Sequence, residues 1–312
     1  MRALVLGGTG AVGRAVAHEL EARGHEALRG SRGAGSSPGA VRLDLSSAAG
    51  MRRLREVAHE CDVVVDASGR DDPATSRELE GVPYVDTSAT TSYLAELRGL
   101  RAQSGAATLV LGAGIAPGAS TVLAAALASE PGDEIDVSVL LGTGEVHGPA
   151  AVAWTAGLAG NAVWGAPDGA EILNYRERRR IPIDGRDRTH LRTDFPDHLL
   201  LAAAGVTVRT YLTLGSPLAT AGLALVGAVP ALRGILAAAP HWGDDRWRVA
   251  ALNRRTGEML AASGSGQSRA TGEFAALAAI RASESPGLGA VTMADLFGLD
   301  VLASAAAVTS RA

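Results

Sequence analysis

The most constraining feature of the sequence is a glycine-rich turn close to its start. Ala3–Leu6 has the continuous apolar character of a buried strand, and apolar residues recur at helical spacing from Val12 onward. Glycines at G-x-G-x-x-G spacing permit a tight turn, close approach of the backbone to a pyrophosphate, and close packing of helix on strand. The turn therefore predicts a dinucleotide-binding site. Its predicted cofactor-binding residues are Gly7, Gly8, Thr9, Gly10, Ala11, Val12 and Gly13.

Short apolar runs alternate with amphipathic stretches over the first 130 residues, as they do in βαβ units. Val63–Val65 is apolar on both faces, as a central strand of a parallel sheet must be. We therefore predict an α/β fold whose first domain is a doubly wound parallel sheet of the Rossmann type. The six expected strands are residues 3–6, 26–28, 41–43, 62–66, 82–86 and 108–111.

The pattern changes near residue 131, where apolar and polar residues begin to alternate. The residues at alternate positions from 135 to 141 are apolar, namely Ile135, Val137, Val139 and Leu141, and Asp136, Ser138 and Leu140 lie between them. Similar alternation returns around residues 206–214 and 247–251. Alternation of this kind is typical of half-buried strands in an antiparallel sheet. The sequence thus predicts an α+β domain with a mostly antiparallel sheet over residues 131–284.

The end of the second strand bears on the choice of cofactor. An NAD site carries Asp or Glu there, to hold the ribose hydroxyls. This chain has Arg29, Ser31 and Arg32 instead, and it has no carboxylate between Glu26 and Asp44. Guanidinium groups bind phosphate well, so these three residues predict NADP(H) in preference to NAD(H). The alternative is that one or both arginines are merely exposed on a loop.

Other strand ends should meet the same ligand, because ligands of such sheets lie beyond the carboxyl ends of the strands. We expect small residues beside the nicotinamide, a carboxylate near the adenine, and a phenol and a carboxylate near the substrate. Helix capping and turn formation are equally good explanations for these polar side chains. The residues are Ala67, Ser68 and Gly69, then Asp44, then Tyr84 and Asp86.

A histidine in the second domain is the first candidate for a proton donor. His147 and Gly148 precede Pro149, which suits the first turn of a helix. A helix N-terminus offers free amides and a positive dipole to a carboxylate or carbonyl, and imidazole exchanges protons near neutral pH. The alternative is that His147 is a solvated or capping residue.

Composition and charge exclude several classes of function. The sequence has no lysine, which excludes a lysine Schiff base and a Tyr-x-x-x-Lys proton relay. A net charge of -4 argues against a nucleic-acid partner. A single cysteine, Cys61, leaves no intrachain disulfide and no cysteine-based metal site, so we predict no metal and a cytoplasmic location. The longest apolar stretch, Ala219–Val229, is too short to span a bilayer, and we expect a buried helix there without stable membrane insertion.

Five motifs together resemble the saccharopine dehydrogenase-like NAD(P)-dependent reductases. Besides the glycine-rich start, they are Asp62–Gly69, Gly81–Ser88, Gly112–Gly118 and Gly289–Asp295. The resemblance implies an NADP-binding Rossmann domain of residues 1–130 that is completed by residues 285–312. It also implies an inserted domain, 131–284, for substrate binding and for a homodimer if one forms, with the active site in the cleft.

The sequence therefore predicts an enzyme, an NADP(H)-dependent oxidoreductase that reduces a C=N, C=O or C=C bond of a small metabolite. Its candidate catalytic residues are His147, Asp86 and Tyr84. In such an enzyme the cofactor supplies the hydride and the protein supplies orientation and a proton. The alternative is a non-catalytic protein that senses or binds NADP with the same fold, because fold does not imply function.

Overall fold

The computed structural model describes residues 1–33, 38–102, 106–145, 149–183, 186–238, 243–304 and 308–311. The chain folds into two compact units. The first comprises Met1–Gly118 and Ser268–Leu296, and the second comprises Ala119–Gln267 together with the segment that starts at Phe297.

The N-terminal part of the first unit alternates strands and helices. In chain order its elements are β1 (Arg2–Leu6), α1 (Ala11–Ala22), β2 (Glu26–Ser31), β3 (Ala40–Arg42), α2 (Ala48–Ala58), β4 (Val63–Asp66), α3 (Pro73–Glu78), β5 (Tyr84–Asp86), α4 (Thr91–Leu100) and β6 (Leu109–Leu111). All pairings among these strands are parallel. The burial of Val63, Val64 and Val65 at 0% exposure agrees with a central strand covered on both faces.

The second unit is built on its own sheet. Its elements, in chain order, are α5 (Ala119–Leu127), β7 (Glu134–Leu141), α6 (Pro149–Leu158), β8 (Arg178–Ile183), β9 (Arg186–Arg192), α7 (Asp197–Leu200), β10 (Thr207–Leu214), α8 (Pro217–Ala228), β11 (Arg246–Asn253) and β12 (Met259–Ser265), with short 3₁₀ helices at Ala202–Ala204 and Pro230–Ala238. The C-terminal elements are α9 (Gln267–Glu284), β13 (Ala290–Thr292), α10 (Met293–Leu296), α11 (Asp300–Ser304) and β14 (Val308–Arg311).

The order of the strands settles the fold class. The first sheet has the order β13-β6-β5-β4-β1-β2-β3, in which the direction of winding reverses between β1 and β4. The second has the order β14-β12-β11-β7-β10-β9-β8, and its pairings are antiparallel except for β7 with β10. The predicted doubly wound parallel sheet with an α+β domain is confirmed. The first unit is a Rossmann domain.

The C-terminal tail departs from the prediction that residues 285–312 complete the first domain. β13 does pair in parallel with β6, but β14 pairs antiparallel with β12 at the edge of the second sheet. The outer edge of β12 would otherwise present unpaired amides and carbonyls, and β14 satisfies them. The tail is therefore divided between the two units, and the boundary falls after Leu296.

The apolar stretch Ala219–Val229 forms most of helix α8, which is only partly buried. Leu223 is buried, whereas Leu218 is 83% exposed and Leu225 is 54% exposed. The prediction of a buried helix is thus correct for one face. In the part of the chain that the structure describes, no helix combines the length and apolar character needed to cross a membrane.

Candidate functional site

The glycine-rich turn lies at the point where the winding of the first sheet reverses. Gly7 follows β1 with φ of +69°, and a Cβ on it would lie 2.5 Å from the carbonyl oxygen of Ala67. A Cβ on Gly13 would lie 2.3 Å from the carbonyl oxygen of Gly7, and one on Gly8 would lie 2.8 Å from Cα of Arg29. These three positions require glycine because backbone approaches them closely. The turn is therefore held against both β2 and the loop that follows β4.

The N-terminus of α1 leaves a space that suits a phosphate. Gly10 is the N-cap and provides no side-chain hydrogen bond, so the amides of Ala11, Val12 and Gly13 have no intrahelical acceptor. A Cβ on Gly10 would meet just the carbonyl oxygen of Gly7, at 3.2 Å, so the position is open on its outer side. Free amides and the helix dipole at this end favour a bound anion.

Arg14 adds a positive charge to the same end of α1. Its guanidinium donates a hydrogen bond to the carbonyl oxygen of Thr9, which holds the charge beside the exposed turn. A cation in the first turn of a helix is repelled by the positive end of the helix dipole. An anion bound at this end would attract both, so it would stabilise Arg14 in this position. The sequence prediction omitted Arg14, although an arginine one turn after the glycines is a visible signal.

The structure separates the roles of the residues at the end of β2. Arg29 forms an ion pair with Glu21 at 2.7 Å, and Glu21 lies near the C-terminus of α1. Arg32 is exposed and has no hydrogen bond or ion pair with any residue that the structure describes. The Ser31 hydroxyl oxygen is buried and likewise has no partner among the described residues. A phosphate or ribose hydroxyl beside Ser31 and Arg32 would satisfy both groups.

Asp44, predicted near the adenine, is used in a turn. Its Oδ1 accepts hydrogen bonds from the hydroxyl of Ser46 at 2.6 Å and from the amide of Ser46 at 3.1 Å. These hydrogen bonds lower the pKa of Asp44, and the charge of Arg32 adds to the effect. The turn-forming role considered for this residue is therefore present, and the influence of Arg32 places Asp44 near the same edge of the sheet.

The predicted catalytic residues Tyr84 and Asp86 lie together in a buried network. The Tyr84 hydroxyl is 2.9 Å from Oδ2 of Asp66 and 3.2 Å from Oδ2 of Asp86. The Tyr93 hydroxyl donates to the same oxygen of Asp86 at 3.0 Å. The exposed fractions are 0% for Tyr84, 5% for Tyr93, 5% for Asp66 and 2% for Asp86. As folded here, neither Tyr84 nor Asp86 presents a proton at the surface of the sheet edge.

Backbone and hydroxyl contacts tie the loops after β4 and β5 together. The amide and hydroxyl of Thr87 both donate to the carbonyl oxygen of Asp66, at 3.2 and 2.8 Å. The Ser88 hydroxyl donates to the exposed Asp71 at 2.8 Å, and Thr90 donates to the other oxygen of that carboxylate. The backbone of Ala67 and Ser68 lies against Gly7 of the glycine turn. The two loops and the turn thus form one continuous edge.

The network has carboxyl groups with unusual proton affinity. Burial raises the pKa of Asp66, and burial together with the charge of Asp66 raises the pKa of Asp86 to about 8. Burial raises the pKa of the Tyr84 phenol as well, and the charges of both aspartates act in the same direction. Two carboxylates this close to one phenol oxygen resist ionising together.

The structure therefore brings most of the predicted cofactor residues of the first unit to one edge, except for the Arg29 guanidinium. His147 lies outside the described residues. Sequence reasoning missed Arg14 and Tyr93, and it did not anticipate that Asp66 would contact Tyr84. Within the described part of the chain, no group of three His, Cys, Asp or Glu side chains is arranged to hold a metal ion.

The second unit has a cavity of about 310 Å³ beside β9, the end of β10 and α8. Its lining includes the guanidinium-bearing Arg178 and Arg188, the hydroxyls of Thr213 and Thr220, and the apolar Leu191 and Leu214. This volume is in the range of small-molecule pockets. The cavity contains none of the residues predicted from the sequence.

Comparison with known proteins gives a partial family match. A model described as the NAD dependent epimerase/dehydratase family matches residues 3–135, which is fewer than half of the 312 residues. No curated protein matches the sequence. The matching model is not one for saccharopine dehydrogenases, so the match supports the coarser description, an NAD(P)-binding Rossmann domain.

Solved structures to which the chain is similar include two kinds of oxidoreductase. Dipicolinate-bound dihydrodipicolinate reductase from Paenisporosarcina sp. TG-14 is 12% identical, with 95% of this chain and 99% of that chain covered and a TM-score of 0.42. Aspartate semialdehyde dehydrogenase II from Vibrio cholerae is 12% identical, with 85% and 74% covered and a TM-score of 0.36. A probable aspartate-semialdehyde dehydrogenase from Pseudomonas aeruginosa is 14% identical, with 85% and 75% covered and a TM-score of 0.35.

Proposed function

We propose that the protein is an NADP(H)-dependent oxidoreductase that reduces a C=N bond of a small metabolite, in the manner of the saccharopine dehydrogenase-like reductases. The observation that carries the proposal is the edge of the first sheet, where glycine backbone, free helix amides and unpartnered polar groups lie at the switch point. We assign substrate recognition to the second unit and the cytoplasm as the place of action, in keeping with a single cysteine.

The residues fit NADP(H) at three points. The amides at the start of α1, with Arg14, would hold the pyrophosphate. Ser31 and Arg32 would hold the 2′-phosphate, because neither the hydroxyl nor the guanidinium has a hydrogen-bond or ion-pair partner among the described residues. Ala67 and Ser68 would lie beside the nicotinamide half, where small side chains leave room for the ring. The bound cofactor supplies the hydride.

The burial of Tyr84 and Asp86 bears on the kind of bond that is reduced. A carbonyl needs a proton at the developing alkoxide, and neither buried side chain presents one at the edge. A protonated imine already carries its positive charge, and it needs little further help from an acid. His147, the remaining predicted catalytic residue, and solvent are then the proton sources. The burial of the other two therefore favours a C=N bond over a C=O bond as the substrate.

A second candidate function rests on the same burial. A protein that senses NADP(H) without turnover needs Arg32 and the phosphate cradle, by which we mean the amides of Ala11–Gly13 together with Arg14. It needs no exposed acid. Both functions require binding of NADP(H), and only the reductase consumes NADPH.

The test begins with dissociation constants for NADPH and NADH measured by fluorescence titration of the purified chain. Tighter binding of NADPH is expected. NADPH is then mixed with a panel of keto acids and amines, and loss of its absorbance is followed. Consumption that requires both a keto acid and an amine supports imine reduction, whereas binding without consumption of any pair supports the sensor. Failure to bind either nucleotide overturns both functions.

A further inference from the structure

The hydrogen-bond network around Tyr84 contains one hydrogen too few if both aspartates are ionised. The Tyr84 hydroxyl has a single proton, and it lies within hydrogen-bond distance of Oδ2 of Asp66 and of Oδ2 of Asp86. It donates to one of them. The other contact then places a phenol lone pair against a carboxylate oxygen, which repels it unless that oxygen carries a proton.

An added proton makes every contact favourable. If Asp86 holds it, the hydroxyl of Tyr93 donates to Asp86, Asp86 donates to Tyr84, and Tyr84 donates to Asp66. If Asp66 holds it, Tyr84 and Tyr93 both donate to Asp86. In both arrangements the amides of Ser68 and Ser88 donate to the remaining oxygens, Oδ1 of Asp66 at 2.8 Å and Oδ1 of Asp86 at 2.7 Å.

We propose that Asp66 and Asp86 share one proton across Tyr84, and that loss of this proton strengthens the preference of the adjoining nucleotide site for the oxidised, cationic nicotinamide. The second half rests on the proposed function, whereas the first half does not. In the titration one carboxyl O–H bond breaks and the proton passes to water, with no transfer of electrons.

Among the described residues no cation forms a hydrogen bond or an ion pair with either carboxyl. Arg101, whose charge acts on Tyr84, donates instead to the backbone carbonyl oxygens of Ser76, Leu79 and Ala107. The titratable groups that act on the pair most strongly are Tyr84 on β5, Tyr93 on α4 and, from the loop after β4, the carboxylate of Asp71. Asp71 is negative and raises the pKa of both members, and burial acts in the same direction. The pair therefore carries one negative charge near neutral pH and two above the second titration.

The position of the pair couples it to the nucleotide site. Asp66 is the last residue of β4, and Ala67, which follows it, touches the glycine turn at Gly7. The carbonyl oxygen of Asp66 also holds Thr87 on the next loop. A second negative charge below these loops stabilises a cation more than a neutral ring, so it favours NADP⁺ over NADPH.

The shared proton is tested without any nucleotide by NMR titration of the full chain with ¹³C-labelled aspartate carboxyls. We expect a carboxyl signal with a midpoint far above the ordinary range of aspartate that disappears in Asp86→Asn. Tyr93→Phe removes a donor to the charged form and should raise the midpoint. Asp197, a buried carboxyl of the second unit with a raised pKa, gives the control Asp197→Asn, which should leave this signal in place.

The coupling is tested by measuring dissociation constants of NADP⁺ and NADPH between about pH 6.5 and about pH 9.5. The ratio of the NADP⁺ constant to the NADPH constant should fall by about tenfold as the pair loses its proton, and it should be independent of pH in Asp86→Asn. If Asp86→Asn does not fold, Asp66→Asn provides the same comparison.

The two experiments fail separately. Absence of a high-midpoint carboxyl signal, or its persistence in both aspartate variants, overturns the shared proton. A normal titration with a constant ratio of dissociation constants overturns the coupling. Failure to bind either nucleotide removes the coupling together with the proposed function, and the NMR result still decides the shared proton.

Discussion

The guanidinium of Arg29 lies 2.7 Å from the carboxylate of Glu21. This ion pair joins the second strand to the C-terminal part of α1, and α1 runs from the phosphate cradle toward the opposite end of the sheet. Arg29 is thus occupied within the fold, whereas Arg32, three residues later, has no hydrogen-bond or ion-pair partner among the described residues. The sequence prediction assigned both arginines to phosphate binding, whereas the structure leads us to expect that only Arg32 binds phosphate.

Replacement of each arginine separates these roles. Arg32→Ala should weaken NADPH binding by roughly ten- to a hundredfold, because a charge-assisted contact to phosphate is lost at about 1.5–3 kcal/mol. NADH binding should be unaffected. Arg29→Ala is the matched control and should leave both affinities unchanged. Dissociation constants for the two nucleotides measure both effects, and equal losses in the two variants would contradict the assignment to Arg32.

Two glycines of the turn are expected to respond differently to an added methyl group. The Cβ of Gly10→Ala would lie 3.2 Å from the carbonyl oxygen of Gly7, a tight contact that a shift of that oxygen by a few tenths of an ångström relieves, so the variant should lose less stability than Gly13→Ala. The methyl group would enter the space next to the free amides of α1, and binding of both NADPH and NADH should weaken. Gly13→Ala places Cβ 2.3 Å from a backbone oxygen and should cost about 1–3 kcal/mol of unfolding free energy.

Thermal or denaturant unfolding gives the stability of each glycine variant, and fluorescence titration gives its affinity. If Gly10→Ala binds both nucleotides like the natural chain, the proposal that phosphate binds next to Gly10 at the start of α1 is wrong.

The raised pKa of Asp86 predicts how stability depends on pH. Burial and the charge of Asp66 raise the pKa of this carboxyl from 3.8 to about 8. The folded chain therefore holds a proton that the unfolded chain has released, and the free energy of unfolding should fall as pH rises from about 4 to about 8. The contribution is fully present below this range and absent above it. Asp86→Asn should flatten this slope, as measured by urea unfolding at a series of pH values.

A control for the slope comes from a carboxylate with the opposite shift. Hydrogen bonds from Ser46 lower the pKa of Asp44, so Asp44→Asn should leave the decline between about pH 4 and about pH 8 in place. An unchanged slope in Asp86→Asn would show that the carboxyl ionises as readily in the folded chain as in the unfolded one.

Local patterns in the sequence were sufficient to predict the first sheet. A strand buried on both faces explains the apolar runs at Ala3–Leu6 and Val63–Val65. A tight turn that binds a dinucleotide explains the glycines between strand and helix. The partner of β14 was not predictable in this way, because the edge of β12 is complementary to many short strands. Strand pairing over a long separation depends on which edges the rest of the fold leaves free.

The candidate site shows the same division. The close backbone approaches at Gly8 and Gly13 follow from the G-x-G-x-x-G spacing, since these positions of the turn leave no room for a side chain. The ion pair of Arg29 with Glu21 depends on the path of α1 across the sheet, and the contacts of Tyr84 with both aspartates depend on the register of β4 against β5. Sequence can name such residues, but side-chain direction decides whether they face a ligand or one another.

His190 gives a prediction for the acidic range. It is 0% exposed, with Nδ1 at 3.0 Å from the carbonyl oxygen of Arg188 and Nε2 at 2.7 Å from the hydroxyl oxygen of Ser138. A neutral ring satisfies both, with Nδ1–H donating and Nε2 accepting from the hydroxyl. Burial, helped by the charge of Arg188, lowers the pKa of His190 from 6.5 to about 4. The unfolded chain therefore binds more protons than the folded chain between these values.

The free energy of unfolding should accordingly receive a contribution that falls as pH decreases from about 6.5 to about 4. His190→Asn keeps a donor near the Arg188 carbonyl and removes the titrating ring, so it should lower stability at neutral pH and lose this acid-side contribution. His59→Gln, at an exposed position, is the control and should retain it. Urea unfolding of the three chains across this range measures the differences. A His190→Asn profile parallel to that of the natural chain would mean that the ring becomes charged while it is still buried, which the burial of the ring and the charge of Arg188 oppose.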